Sequence, residues 1–147
     1  MNTVTFLDWT LLVDKETTQD TYSRTANGSA ESCNCNDCKR YLGLIEKVYP
    51  KEIIELFKQL GIDYRKDSEI SSIGLDNGFV EYSGWFHFKG KFIGQSCIEK
   101  LATNSFTLHL IEITNEFSIG FHYSNTLSFF KPDEQLVQVE FNIKVKA

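Results

Sequence analysis

The C-terminal stretch constrains the fold of this chain more than any other segment. From residue 137 to residue 146 apolar and polar side chains alternate without a break. Val137, Val139, Phe141, Ile143 and Val145 face one way, and Gln138, Glu140, Asn142, Lys144 and Lys146 the other. A period of two belongs to a β-strand with one dry face and one wet face. Strands buried on both faces of a parallel sheet read as continuous apolar runs, so the alternation points to antiparallel pairing. No βαβ rhythm, internal repeat or linker interrupts the 147 residues, and a single domain over residues 1–147 is expected.

The rest of the chain supplies partners for that strand. Residues 4–13 alternate as a strand, with Thr5, Leu7, Trp9, Leu11 and Val13 on one face. A polar stretch follows, within which residues 17–25 read as a returning strand and Asn27-Gly28 as a turn. A first helix is expected behind an Asn36 or Asp37 cap and extends to Val48. A second starts at Pro50, carries Ile53, Ile54, Leu56, Phe57 and Leu60 at helical spacing, and stops at Gly61. Beyond Asp63 only strands are expected: residues 69–75, a hairpin of 79–89 and 91–97 around Gly90, a hairpin of 106–114 and 117–123, and a short strand at 127–130. The expected fold is α+β, two short N-terminal helices packed on a mostly antiparallel sheet or sandwich of about seven strands.

Composition narrows the function classes. Hydrophobic residues make up 41% of the chain and aromatics 14%, enough apolar surface to offset chain entropy in one core. Fifteen basic against twenty acidic residues leave a net charge of −5, which argues against a dedicated nucleic-acid binder. No window reaches the roughly 18 apolar residues of a membrane span. Asp8 and Asp14 break up any apolar leader, and four cysteines are too few for a disulfide scaffold, so a cytoplasmic protein with reduced thiols is expected.

Three of the four cysteines, Cys33, Cys35 and Cys38, fall within six positions just before the first helix. A chain turning there can bring three thiolates onto one cation, and zinc favours such soft donors in a tetrahedron. Cys97 is the first candidate for a fourth ligand, with His87, His109, His122 or water as others. Two other readings stand beside structural zinc. Cys35 and Cys38 form a Cys-x-x-Cys pair at a helix start, where a thiol's pKa falls and redox chemistry becomes accessible. Alternatively the thiols serve only local packing, free or as one disulfide.

The segment 84–92 interleaves aromatics with basic residues. It can be a stacking platform for single-stranded nucleic acid, or a hairpin whose rings fill the core, which the acidity of the chain favours. Trp85, His87 and Lys89 share one face, and His122 likewise lies opposite the apolar side of its strand. These four are the candidate binding residues of a wet sheet face. Two of the histidines on adjacent strands can meet in a shallow polar site, with Cys97 as a conceivable nucleophile. Surface histidines are the commoner outcome of such a pattern. No nucleophile elbow, zincin helix, Walker loop or dinucleotide fingerprint is present.

Taken together, the Cys33, Cys35 and Cys38 knot, the helix from Pro50 into Leu60-Gly61-Ile62-Asp63 and the Tyr82-Ser83-Gly84-Trp85 segment up to Gly90 resemble a group of small, functionally uncharacterised bacterial proteins. About half the chain carries the likeness. Where that group is expected to hold an Asn two residues after the knot, this chain has Arg40. The resemblance implies a bacterial source and a cysteine-anchored architecture, and it brings no activity. The expected function is a non-enzymatic binding module for a protein partner, of the immunity or antitoxin kind, with structural zinc. A thiol redox protein using Cys35 and Cys38, or a small-ligand binder in the aromatic sheet, are the alternatives.

Overall fold

The computed structural model describes residues 1–146. In chain order the elements are β1 (Asn2–Phe6), β2 (Trp9–Val13), α1 (Lys15–Arg24), α2 (Ser29–Ser32), α3 (Asn36–Gly43), α4 (Ile45–Val48) and α5 (Lys51–Leu60), followed by β3 (Glu69–Gly74), β4 (Phe79–Ile93), β5 (Ile98–Lys100), β6 (Phe106–Leu108), β7 (Ile111–Thr114), β8 (Phe117–Tyr123) and β9 (Leu136–Lys146). Seven strands form one antiparallel sheet in the order β1-β2-β4-β9-β8-β7, with β3 also paired to β4, and β5 with β6 makes a separate ribbon. The fold is α+β, as expected. No helix among the described residues is long and apolar enough to cross a membrane.

The alternating C-terminal segment is the central strand β9, paired to β4 and β8. Its odd-numbered residues align with Phe86, Tyr82, Phe121 and Phe117 on one sheet face, because directly opposed residues share a face. Helix α5 and the Tyr41–Tyr49 region cover that face. Tyr49 lies 5.7 Å from Phe117, 5.8 Å from Phe141 and 5.9 Å from Phe57, ring centre to ring centre, and Phe57 is 4.9 Å from Phe86. Ile53, Phe57 and Leu60 are fully buried in this cluster. Gly61 ends α5 in the left-handed region at φ 83°, a conformation glycine adopts without strain.

Several local expectations are corrected. Residues 4–13 turn at Leu7-Asp8 into the β1–β2 hairpin and are not one strand. Residues 17–25 form α1, not a strand. Asp14 caps that helix by accepting from the Thr17 amide and hydroxyl, at 3.1 and 2.9 Å, a local signal that outweighs the weak β-propensity of the threonines. The first expected helix breaks at Leu44 into α3 and α4. Its cap is Cys35, whose sulfur accepts the Cys38 amide, in place of Asn36 or Asp37. Residues 79–93 run through Gly90 as one strand without a hairpin, and residues 127–130 are not a strand.

Helix α1 has a specific task in the sheet. On one edge β4 pairs with β3 through Trp85 and with β2 from Gly90 onward, which leaves the backbone between them without a strand neighbour. Side chains of α1 fill the gap. The Tyr22 hydroxyl accepts from the His87 amide at 3.0 Å and donates to the His87 carbonyl at 2.8 Å, Thr18 Oγ1 accepts from the Lys89 amide, and the Asp14 amide donates to the Lys89 carbonyl. Every backbone group in the break is thereby satisfied. Tyr22→Phe leaves a buried donor and acceptor unpaired, and the expected loss is about 1–3 kcal/mol in urea unfolding. An unchanged midpoint would show that water serves the break equally well.

Candidate metal centre and the second sheet face

Cys33, Cys35 and Cys38 gather where α2 hands over to α3. Cys33 is the C-cap of α2, Cys35 the N-cap of α3, and Cys38 lies in the first turn of α3. Their sulfur atoms all lie within 4.8 Å of one another. A tetrahedral zinc–thiolate site needs sulfurs about 3.8 Å apart, given bonds near 2.3 Å, so a small rotation of side chains closes them on an ion. All four cysteines of the chain are free thiols, with Cys33 and Cys35 exposed and Cys38 buried. Three cysteines in this arrangement can hold a metal ion.

The electrostatics differ across the trio. The Cys38 amide donates to the Cys35 sulfur at 3.3 Å, and with the neighbouring thiols it holds the Cys35 pKa below the ordinary value. Burial pushes the Cys38 thiol up, with the Cys35 and Cys33 sulfurs adding to the effect. The thiolate is thus favoured at Cys35 and disfavoured at Cys38.

The bend is fastened to the sheet independently of any ion. Ser72 Oγ donates to Asp37 Oδ2 and the Tyr82 hydroxyl to the Asp37 carbonyl, both at 2.7 Å. On the α2 side, the Ser29 amide donates to the Asp67 carbonyl at 2.9 Å and the Ala30 amide to Asp67 Oδ2 at 3.2 Å. Asp67 is fully buried, and its Oδ1 has no hydrogen-bond partner.

Cys97 does not join the trio. It is 2% exposed and packs against Gly120 on the second sheet face, where a Cβ on Gly120 would stand 2.6 Å from the Cys97 Cβ. The Cys97 amide donates to the Phe121 carbonyl, and the His109 amide donates to the Cys97 carbonyl. Burial, with the nearby Glu140 charge, pushes its thiol up to about 12, which removes the thiolate a Cys–His nucleophile requires. Cys97, expected as the closing ligand, is therefore a packing cysteine.

The four candidate binding residues have internal partners. His87 is not a surface histidine but fully buried. Register explains its surroundings, since His87, Gln138 and His122 stand directly opposite one another on β4, β9 and β8. His87 Nε2 donates to Gln138 Oε1 at 3.0 Å, Gln138 Nε2 donates to Glu140 Oε1 at 2.6 Å, and His122 Nε2 donates to the same carboxylate oxygen at 2.9 Å. Ser68 Oγ faces the other His87 nitrogen at 3.4 Å. Sequence alternation signalled the shared face, but nothing in the letters revealed Gln138 and Glu140 as the bridge. Trp85 donates its ring N–H to the Thr126 carbonyl, and Lys89 sits between Asp14 and Glu134. His109 is exposed and pairs with Glu99.

His87 and Asp67 oppose each other in their pH dependence. Burial lowers the His87 pKa from 6.5 to about 4, so its contribution to stability is present above 6.5 and is lost as the pH falls toward 4. Burial raises the Asp67 pKa from 3.8 to about 6, so its penalty is present above 6 and disappears toward 3.8. Replacing Asp67 by Asn removes the second effect alone. The stability difference between Asp67→Asn and the wild type is expected to move by about 2 kcal/mol in favour of the wild type between pH 7 and pH 4. Urea unfolding at the two pH values measures it, and a constant difference would mean that Asp67 titrates alike in folded and unfolded chains.

The aromatic rings of the sheet pack on one another, with Phe86 5.4 Å from Phe141 and Phe92 4.8 Å from Tyr123. Clefts of about 390 and 580 Å³ lie beside α1 and α5 and beside α4 and the end of β9. Compared with known proteins, the chain matches no family model, no curated protein and no solved structure.

Proposed function

We propose that this protein is a metal-anchored binding module in which Cys33, Cys35 and Cys38 hold one zinc ion at the α2–α3 bend. The observation that carries this is the convergence of three unbridged sulfurs within 4.8 Å at a helix start. Thiolate donors select soft or borderline ions, and zinc brings no redox chemistry of its own. In this reading the ion stiffens the bend, and the protein works by binding a protein partner without turnover. The β5–β7 side supports the second half, because Phe106, Leu108 and Ile111 are 66%, 42% and 47% exposed, an apolar surface of the kind partners cover. An immunity or antitoxin role remains an analogy built on small size and net acidity.

Protein purified without chelator is expected to carry close to one zinc per chain, with the three thiols protected from alkylation until the ion is removed. Substoichiometric metal and freely alkylated thiols would end the proposal. The lowered pKa of exposed Cys35 beside buried Cys38 favours a thiol–disulfide protein as the second reading. In that case metal-free protein equilibrated with a glutathione redox buffer forms a reversible Cys35–Cys38 disulfide, and Cys35→Ser abolishes the exchange.

A further inference from the structure

We infer that the three-thiolate centre takes its fourth ligand from outside the chain, a lone-pair donor of the imidazole or thiolate class. The inference rests on the metal reading above and deepens it. Among the described residues, the group of potential ligands contains three cysteines and no fourth Cys, His, Asp or Glu. The acid next in sequence is engaged, since Asp37 accepts the Ser72 hydroxyl on its carboxylate and the Tyr82 hydroxyl on its carbonyl. Each fourth protein donor the sequence offered is held elsewhere: Cys97 against Gly120, His87 on Gln138, His122 on Glu140 and His109 on Glu99. Zinc prefers four donors, and structural sites in proteins are closed by four protein ligands. A centre with three, two of them on exposed residues, leaves one coordination position facing solvent. Imidazole and thiolate are the donors such an ion accepts best next to three thiolates. Either can come from a small molecule, from a partner's side chain or from a second copy of this chain.

Cobalt(II) in place of zinc reads the position directly, because its visible absorption reports coordination number and donor type. The full chain, loaded with one cobalt, is expected to be a monomer by sedimentation. Its d–d bands should shift saturably when imidazole or 2-mercaptoethanol is added, while its sulfur-to-cobalt charge-transfer bands persist. Dimerisation on loading, with bands that respond to the probes only as the dimer dissociates, supports the inference and identifies the donor as a second copy. A loaded monomer whose four-coordinate spectrum ignores both probes overturns it and leaves the metal reading standing, with a donor inside the chain. Absence of any cobalt spectrum overturns the metal reading itself. Cys38→Ser is expected to weaken cobalt binding at least about 100-fold, which ties the bands to this centre.

Discussion

Adding zinc to the metal-free protein is expected to raise its unfolding free energy by about 3–4 kcal/mol once the free ion exceeds its dissociation constant by roughly 100- to 1,000-fold. The gain follows from mass action, because the folded chain gathers three sulfurs that the unfolded chain scatters. Cys38→Ser removes the buried donor and should reduce the increment to about 1.4 kcal/mol or less, while the hydrogen bonds through Asp37 and Asp67 keep the bend folded. The pH dependence has a definite sign. Ligation requires thiolates, and the Cys38 thiol is held up by burial, so zinc binding releases protons and the increment shrinks as the pH falls. Urea unfolding with and without zinc, for both proteins, measures this. An equal zinc effect in Cys38→Ser would place the ion somewhere other than the trio.

The second large effect is expected at Gly90. Read as a turn residue, Gly90 would tolerate substitution at modest cost. In the sheet it sits inside β4 at φ 154°, opposite Val13 of β2, and a Cβ there would stand 2.0 Å from the Leu12 carbonyl oxygen. Backbone cannot yield at that distance without breaking the β2–β4 ladder. Gly90→Ala is therefore expected to destabilise by about 3 kcal/mol or more. The loss should appear as faster hydrogen exchange in β1 and β2 ahead of β9, because the hairpin is joined to the sheet through this pairing. A variant with wild-type stability would show that β2 can shift outward freely.

Much of the architecture was legible in the letters, and the reasons are local. The alternation after Leu136 identified β9 because a strand with one dry face must repeat every two residues. Helix α5 was legible from its apolar spacing and from Gly61, whose positive φ few other residues accept. The approach of three cysteines was legible because six positions of chain cannot separate them far. What remained hidden was non-local. Residues 17–25 look β-prone by composition, and although the Asp14 cap of α1 is local, the need of the β4 edge for Tyr22 and Thr18 as hydrogen-bonding partners shows only in the assembled sheet.

His87 makes the same distinction inside the candidate sites. Its alternation placed it opposite Phe86 and Phe88, a correct assignment of face. Whether that face is wet depends on which strands lie beside it, and β8 and β9 bring Gln138, Glu140 and His122 over it in register. On the face read as a binding surface, His87 itself is buried and joined through Gln138 and Glu140 to His122. Cys97 likewise is a ligand by residue type but not by position, because it packs against Gly120 of β8 and stands outside the group of three sulfurs.

The sequence by itself determined the class of fold, the central strand, the α5 helix and the gathering of Cys33, Cys35 and Cys38, since each depends on side-chain periodicity or on neighbours a few residues apart. Only the tertiary structure decided what fills the gap in β4, that His87 is buried, and that no fourth donor among the described residues reaches the three sulfurs. Those outcomes depend on contacts between residues dozens of positions apart, and the entropy of closing such loops is repaid only by the assembled sheet.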